Sequence, residues 1–184
     1  ELLPRTGRRA ERDVSMKIIT DDDLHTLDIP FAARALEGFL RRGAAGDTTA
    51  PPRTAIPLGD ETLVFTAGAD PQDFGFRVYS YRAGLVRDKE DQIVACWDRE
   101  THSLKALAVG QLLGAWRTGV RGGIAYRKLA GRGVDTCGVI GCGLQAGAQA
   151  RAIAALARPR KFVVFSRDPD RRSDFAKRLQ ADTG

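Results

Sequence analysis

The segment Gly138-Val139-Ile140-Gly141-Cys142-Gly143-Leu144-Gln145-Ala146 reads G-x-G-x-x-A from Gly141 onward, where an apolar strand-like run meets a helix-like run. Each small residue has a task there. Gly141 permits a tight turn, Gly143 lets the backbone approach a pyrophosphate, and Ala146 lets the helix sit close to the strand. The free N–H groups and positive dipole end of that helix face the phosphates. Leu144 and Gln145, in its first turn, join the small residues as candidates for binding a dinucleotide. A merely tight turn is the alternative; the placement between strand and helix favours the dinucleotide.

The ribose reader of such a site stands at the end of the next strand, about 20 residues or a little more past the glycines. Ser166-Arg167-Asp168 occupies that place. An acid directly at the strand end would bond a 2'-hydroxyl, as in NAD(H), whereas Ser166 and Arg167 suit a 2'-phosphate. The expectation is NADP(H) over NAD(H); Asp168 would reverse it by turning inward. Arg167, Arg171 and Arg172 as solvated surface charges are the plainer alternative.

Other chemistries find less support. The chain has 184 residues, 43% hydrophobic and 28% charged, enough for one domain or two small ones. The net charge of +6 is scattered rather than gathered in an aromatic-interleaved patch, so small anions explain it better than nucleic acid. Cys96, Cys137 and Cys142 form no C-x-x-C pair, and a reducing cytoplasm is their simplest home. His25 and His102 lie far apart and suggest no metal site. Ala106 to Trp116, the most apolar stretch, is too short and too interrupted to span a bilayer.

The elements that must hold these residues can be read from periodicity and punctuation. Residues 1–15 precede Met16 and are expected to be an extension outside the fold. Asp21 to Asp23 read as N-cap and first-turn acids of a short helix, with a metal site as the weaker alternative. Pro30 opens a second helix whose Phe31, Ala35, Leu36 and Phe39 keep helical spacing. After a loop over 43–52, strands are expected over 54–58, 62–66, 76–81, 93–98 and 104–108. A helix from about Val109 to Leu129 follows, with Leu112, Leu113, Trp116, Val120, Ile124 and Leu129 on one face and Gly131 as a left-handed cap. Strands over 135–140 and 161–166 then alternate with helices over 144–156 and 170–180, a parallel βαβ unit. The fold class is α/β: a mixed α+β domain over 16–130, then the first part of a Rossmann domain over 131–184. Such a sheet normally continues for several more strands, so the chain is expected to be the front of a longer protein or to be completed by another chain.

The stretch GAWRTGVRGGIAYRKLAGRGVDTCGVIGCGLQAGAQA places an Arg-Thr-Gly helix about two dozen residues before the glycine turn. In this it resembles the ornithine cyclodeaminase and mu-crystallin family, from about Met16 to the end. The resemblance implies a cytoplasmic homodimeric enzyme acting on amino acids, cyclic imines or 2-oxo acids, with residues 16–130 as its substrate-binding and dimerisation domain. It also implies that Arg117 holds the substrate carboxylate, that Arg53 in PPRT faces the substrate, and that Thr118 touches the cofactor. Arg77 in FGFRV stands where the family usually has a proton-handling lysine; arginine keeps the charge but does not release a proton. Two parallel hydrogen bonds from a guanidinium fork suit a carboxylate, although surface ion pairs are the plain alternative for each arginine. The family's catalytic aspartate falls past Gly184, so no catalytic residue is assigned.

Together these readings point to nicotinamide-dependent oxidoreduction of a small amino or imino acid, with Arg77 favouring a reductase or dehydrogenase over a cyclodeaminase. A non-catalytic nucleotide or small-molecule binding protein, like the crystallin branch, is the alternative, and an inactive fragment the bland one. Cys142 is read as a small filler rather than a redox switch.

Overall fold

The computed structural model describes residues 15–82, 91–131 and 134–184. The expected extension therefore lies outside the described residues except for Ser15. Six strands form one sheet in the order β1-β6-β5-β4-β3-β2: β1 (Lys17–Ile19), β2 (Thr54–Leu58), β3 (Glu61–Ala69), β4 (Asp73–Arg82), β5 (Gln92–Asp98) and β6 (Leu104–Gly110). Strands β2 to β6 pair antiparallel, as neighbours joined by short connections do. Only β1 is parallel to its neighbour β6, and the sequence reading had not anticipated it: three residues, KII, are too few to show an alternation. Strands β3 and β4 are each longer than expected because their ladder continues down to the Asp70–Asp73 turn.

The register sorts the side chains of this sheet. Phe65, Val78, Ile93 and Val109 lie side by side on one face. Arg77, Tyr79 and Gln92 occupy the opposite face, because successive residues alternate. At the sheet's end, buried Asp70 accepts hydrogen bonds from Arg42 Nη2 at 2.7 Å and from the Gln72 and Asp73 N–H groups, each at 2.9 Å. Burial pushes its carboxyl up, but those two N–H groups and the Arg42 cation outweigh it and hold the pKa below the ordinary value. Asp70 therefore stabilises the fold fully above its unfolded value of about 3.9, and that contribution is lost as pH falls through the lower folded value. Urea unfolding from pH 5 down to pH 2 should show a flatter acid loss in Asp70→Asn than in the wild type.

Three helices pack beside the sheet: α1 (Asp21–Leu24), α2 (Ile29–Ala44) and α3 (Leu112–Leu129). Asp28 caps α2 by accepting from the Phe31 N–H at 2.9 Å, with Pro30 in its first turn as expected. The acidic triplet divides its labour. Thr20, not an aspartate, is the N-cap of α1, and Asp23 accepts from its N–H and its hydroxyl at 2.8 and 3.0 Å. Asp21 reaches across to α3, accepting from the Gln111 and Leu112 N–H groups at 3.0 and 2.8 Å. Gly110, with φ +127°, makes this possible, since a Cβ there would lie 2.3 Å from Asp21 Oδ1. The same glycine ends β6, so α3 starts at Leu112 rather than near Val109. Asp21→Ala should cost about 1–2 kcal/mol as a lost cap, seen as a lower urea midpoint.

The second sheet has two parallel strands, β7 (Thr136–Ile140) and β8 (Lys161–Phe165), with α4 (Leu144–Ala157) between them and α5 (Pro169–Thr183) after them. This is the expected βαβ order. Its joint with the rest of the chain is α3 against α4, so close that a Cβ on Gly119 would meet the Ala148 carbonyl carbon at 2.6 Å. The core follows from this contact: Trp116 with Leu24, Ala115 and Ala148, then Val120 and Ile124 with Ala33 and Ala152. One expectation holds in part and one fails. Of the face expected on α2, Leu36 packs, together with Ile29, Ala32 and buried Ala33, against the core of α3 and α4, while Phe31 and Phe39 are exposed. Leu129 is 84% exposed, and α3 ends at an extended Ala130 with no left-handed Gly131. Among the described residues, no helix is long and apolar enough to cross a membrane, and no three His, Cys, Asp or Glu side chains group as metal ligands.

Candidate functional site

A cleft of ≈ 500 Å³ opens where the two sheets meet across α3. Its first wall is Arg77 and Tyr79 of β4 with Gln92 of β5. Gln111, Gly114 and Thr118 line its floor from the N-cap and body of α3. Its second wall is the β7–α4 turn, Ile140 to Ala146 without Cys142. Six of the residues expected to bind cofactor, Thr118, Gly141, Gly143, Leu144, Gln145 and Ala146, are therefore brought together with Arg77.

The turn has the form a phosphate needs. Gly141 holds φ +104°, a left-handed conformation that favours glycine, and its N–H donates to the Phe165 carbonyl at 2.8 Å. That bond ties the turn to the end of β8. Gly143 is the N-cap of α4, and neither a capping side chain nor an acid occupies the first turn. A Cβ built on either glycine meets no atom within 4 Å, so the space above the backbone is open. Exposed first-turn N–H groups and unfilled space fit a pyrophosphate.

At the end of β8, the half-buried Ser166 accepts a weak hydrogen bond from Cys142 Sγ at 3.3 Å, and its carbonyl accepts from Arg172 Nη1 at 3.0 Å. Arg167 is exposed. Neither Ser166 nor Arg167 lines the cleft; they sit beside the glycine turn, joined to it through Phe165. Asp168 is the N-cap of α5, accepting from the Asp170 and Arg171 N–H groups at 3.0 and 3.1 Å. Cys142 packs with Phe175 and Leu179 beneath the turn.

The arginines separate. Arg77 lies 4.6 Å from the centre of the Tyr79 ring and donates from Nη1 to Gln92 Oε1 at 3.4 Å. Its Nε is buried without a partner. Arg117 remains exposed one turn beyond Gly114, next to Thr118. The protein packed around Arg117, then the Arg77 and Arg121 cations, lower its pKa, with Tyr79 opposing; a guanidinium stays charged regardless. Arg53 is exposed in the segment before β2, the sheet's edge strand; neither Arg53 nor Arg117 is among the residues that line the cleft.

Tyr79, Gln92, Gln111 and Gly114 line the cleft without having been foreseen. Tyr79 was within reach of sequence reasoning, being two residues from Arg77 on one strand face, as was Gly114, one helical turn before Thr118. Gln92 was not, because only the β4–β5 register sets it opposite Tyr79.

Known proteins are similar to this chain in sequence and in fold. The chain is 29% identical over 163 residues to a Delta(1)-pyrroline-2-carboxylate reductase of Bacillus cereus, a match covering 85% of this chain and 49% of that protein. It spans about half the length of the curated relatives it matches. Its fold is that of the Thermococcus litoralis Delta(1)-pyrroline-2-carboxylate reductase in complex with NADH and L-proline, at a TM-score of 0.81 and 22% identity over 92% of this chain and 55% of that one. An archaeal alanine dehydrogenase dimer with bound NAD matches at 0.80 and 21%, over 90% and 53%. The family model for ornithine cyclodeaminase/mu-crystallin matches residues 17–184, and the chain belongs to that family.

Proposed function

We propose that the protein is an oxidoreductase that passes hydride between a nicotinamide dinucleotide and a small amino or imino acid. The observation that carries this reading is the cleft in which the open glycine turn faces Arg77 and α3. Gly141, Gly143, Ala146 and the N–H groups of Leu144 and Gln145 hold the pyrophosphate, with Thr118 across the cleft. The dinucleotide supplies the hydride chemistry; the chain binds, orients and shields. Arg117 fixes the substrate carboxylate and Arg77 adds a permanent positive charge beside it. Arg53 is assigned to the substrate by family resemblance.

NADP(H) is the preferred cofactor in this reading. Asp168 is committed to capping α5, which leaves Ser166 and Arg167 as the groups at the strand end for a ribose phosphate. The domain division at about residue 130 falls between α3 and β7. Homodimerisation is supported by the outer sheet face, where Phe65, Phe76, Ile93 and Val109, with Ile56 and Leu58 of β2, are all exposed on one side. The thiols are unpaired, in keeping with the cytoplasm.

Fluorescence titration of the full-length native protein with NADPH and NADH, followed by assays with cyclic imino acids and with 2-oxo acids plus ammonia, tests the proposal. Tighter NADPH binding and its steady consumption are expected. A cyclodeaminase would regenerate its cofactor and consume none, binding without turnover would make the protein a binder, and absence of dinucleotide binding would end the reading.

A further inference from the structure

The Arg77 guanidinium carbon lies 4.6 Å from the centre of the Tyr79 ring, which follows two residues later on the same strand face. A guanidinium resting on a ring can still turn in its own plane, because the pull of the π-face has no preferred direction within that plane. Its Nε is buried without a partner, so no bond at that atom stops the turn. The missing restraint comes from the neighbouring strand. Gln92 stands opposite Tyr79 and diagonal to Arg77, within reach of a long side chain, and its Oε1 accepts from Arg77 Nη1 at 3.4 Å. That bond is long, and by itself it would hold little.

Helix α3 keeps the Gln92 amide in place. A Cβ on Gly114 would lie 2.5 Å from Gln92 Nε2, 2.6 Å from Oε1 and 3.0 Å from Cδ, so the amide fills the notch that this glycine leaves. The backbone does not require glycine there: Gly114 is not among the glycines with positive φ, and alanine is the better helix former inside α3. A residue that goes against its local preference marks a demand set by tertiary contact, here the Gln92 amide. Arg77, Gln92 and Gly114 all line the cleft that holds Gly141 and Gly143.

We infer that Gln92 is a positioning residue: wedged into the Gly114 notch, it fixes the in-plane orientation of the Arg77 guanidinium at the cleft wall. This rests on the hydride-transfer reading for what Arg77 does there, but the clamp can be measured without turnover.

Phenylglyoxal adds to guanidinium nitrogens, and peptide mass mapping gives its rate at each arginine of the full-length native protein. In Gln92→Leu and in Gly114→Ala, Arg77 should react about threefold faster or more, the factor that loss of a weak hydrogen bond implies. Exposed Arg167, away from the cleft, is the internal control. The double variant should react no faster than Gln92→Leu alone, since no amide is left to displace. The urea midpoint of Gly114→Ala should hold or rise, because the displaced group is the end of a flexible side chain; if that variant fails to fold, Gln92→Leu carries the test. In turnover, both single changes should raise KM for the imino or 2-oxo acid while the NADPH Kd holds. In an Arg77→Gln background neither should add more than about twofold, as coupling through one residue requires. An Arg77 rate unchanged in both single variants overturns the inference. So does a KM effect of Gln92→Leu that persists in full without Arg77, which would put Gln92 on the ligand itself. Absence of turnover in the wild type overturns the hydride-transfer reading instead, and the Arg77 rate still decides the clamp.

Discussion

Replacing Arg117 by alanine in the full-length native protein lowers kcat/KM for its amino or imino acid about 30- to 1,000-fold, the range expected when one partner of a desolvated charge pair is removed. Arg117 is exposed and makes no ion pair among the described residues, so little native structure depends on its guanidinium. Its Cβ remains on a helix held by the Trp116, Val120 and Ile124 core. Urea stability should therefore change by less than about 0.5 kcal/mol, as for a surface substitution. Dinucleotide affinity should also hold, because the pyrophosphate seat is on the far wall. Arg117→Lys restores charge without the fork and should recover only part of the loss. Unchanged kcat/KM in Arg117→Ala would remove the residue from the substrate site.

The second large effect belongs to Gly143. Gly143→Val should weaken NADPH binding more than about 100-fold while leaving the fold intact, since the side chain would fill the space through which the phosphates approach the backbone. The conformation at Gly143, φ −90° with ψ −177°, is extended and open to any L-residue, and nothing stands within 4 Å of a Cβ there. Gly141 makes the contrast: with φ +104° it also meets no neighbour, but any side chain would strain the backbone itself. Gly141→Val should thus lose stability and binding together, and Gly143→Val binding alone. Paired urea unfolding and NADPH fluorescence titrations read both. A Gly143→Val protein that binds NADPH as the wild type does would show that the turn carries no nucleotide.

How much of this was legible in the chain differs by residue. The glycine turn, the strand before it and the helix after it follow from requirements met within a few neighbouring residues: an apolar run, a left-handed position and a small residue one turn on. Helix α3 with Arg117 and Thr118 was likewise visible in its 3.6-residue period. Its starting point was misplaced because Gly110 serves a partner distant in sequence. The pairing of β1 with β6, the reach of Asp21 to the head of α3 and the approach of Gln92 to Gly114 all join segments far apart along the chain. The face that α2 buries was decided in the same way, since Leu36 of its expected face packs while Phe31 and Phe39 stay exposed. By itself the sequence determined the turn, the element types and the cationic residues available. The tertiary structure decided that Arg77 lines the cleft facing the glycine turn, with Gln92 set opposite Tyr79, because strand register and helix packing are set by surfaces that meet only when the chain has folded.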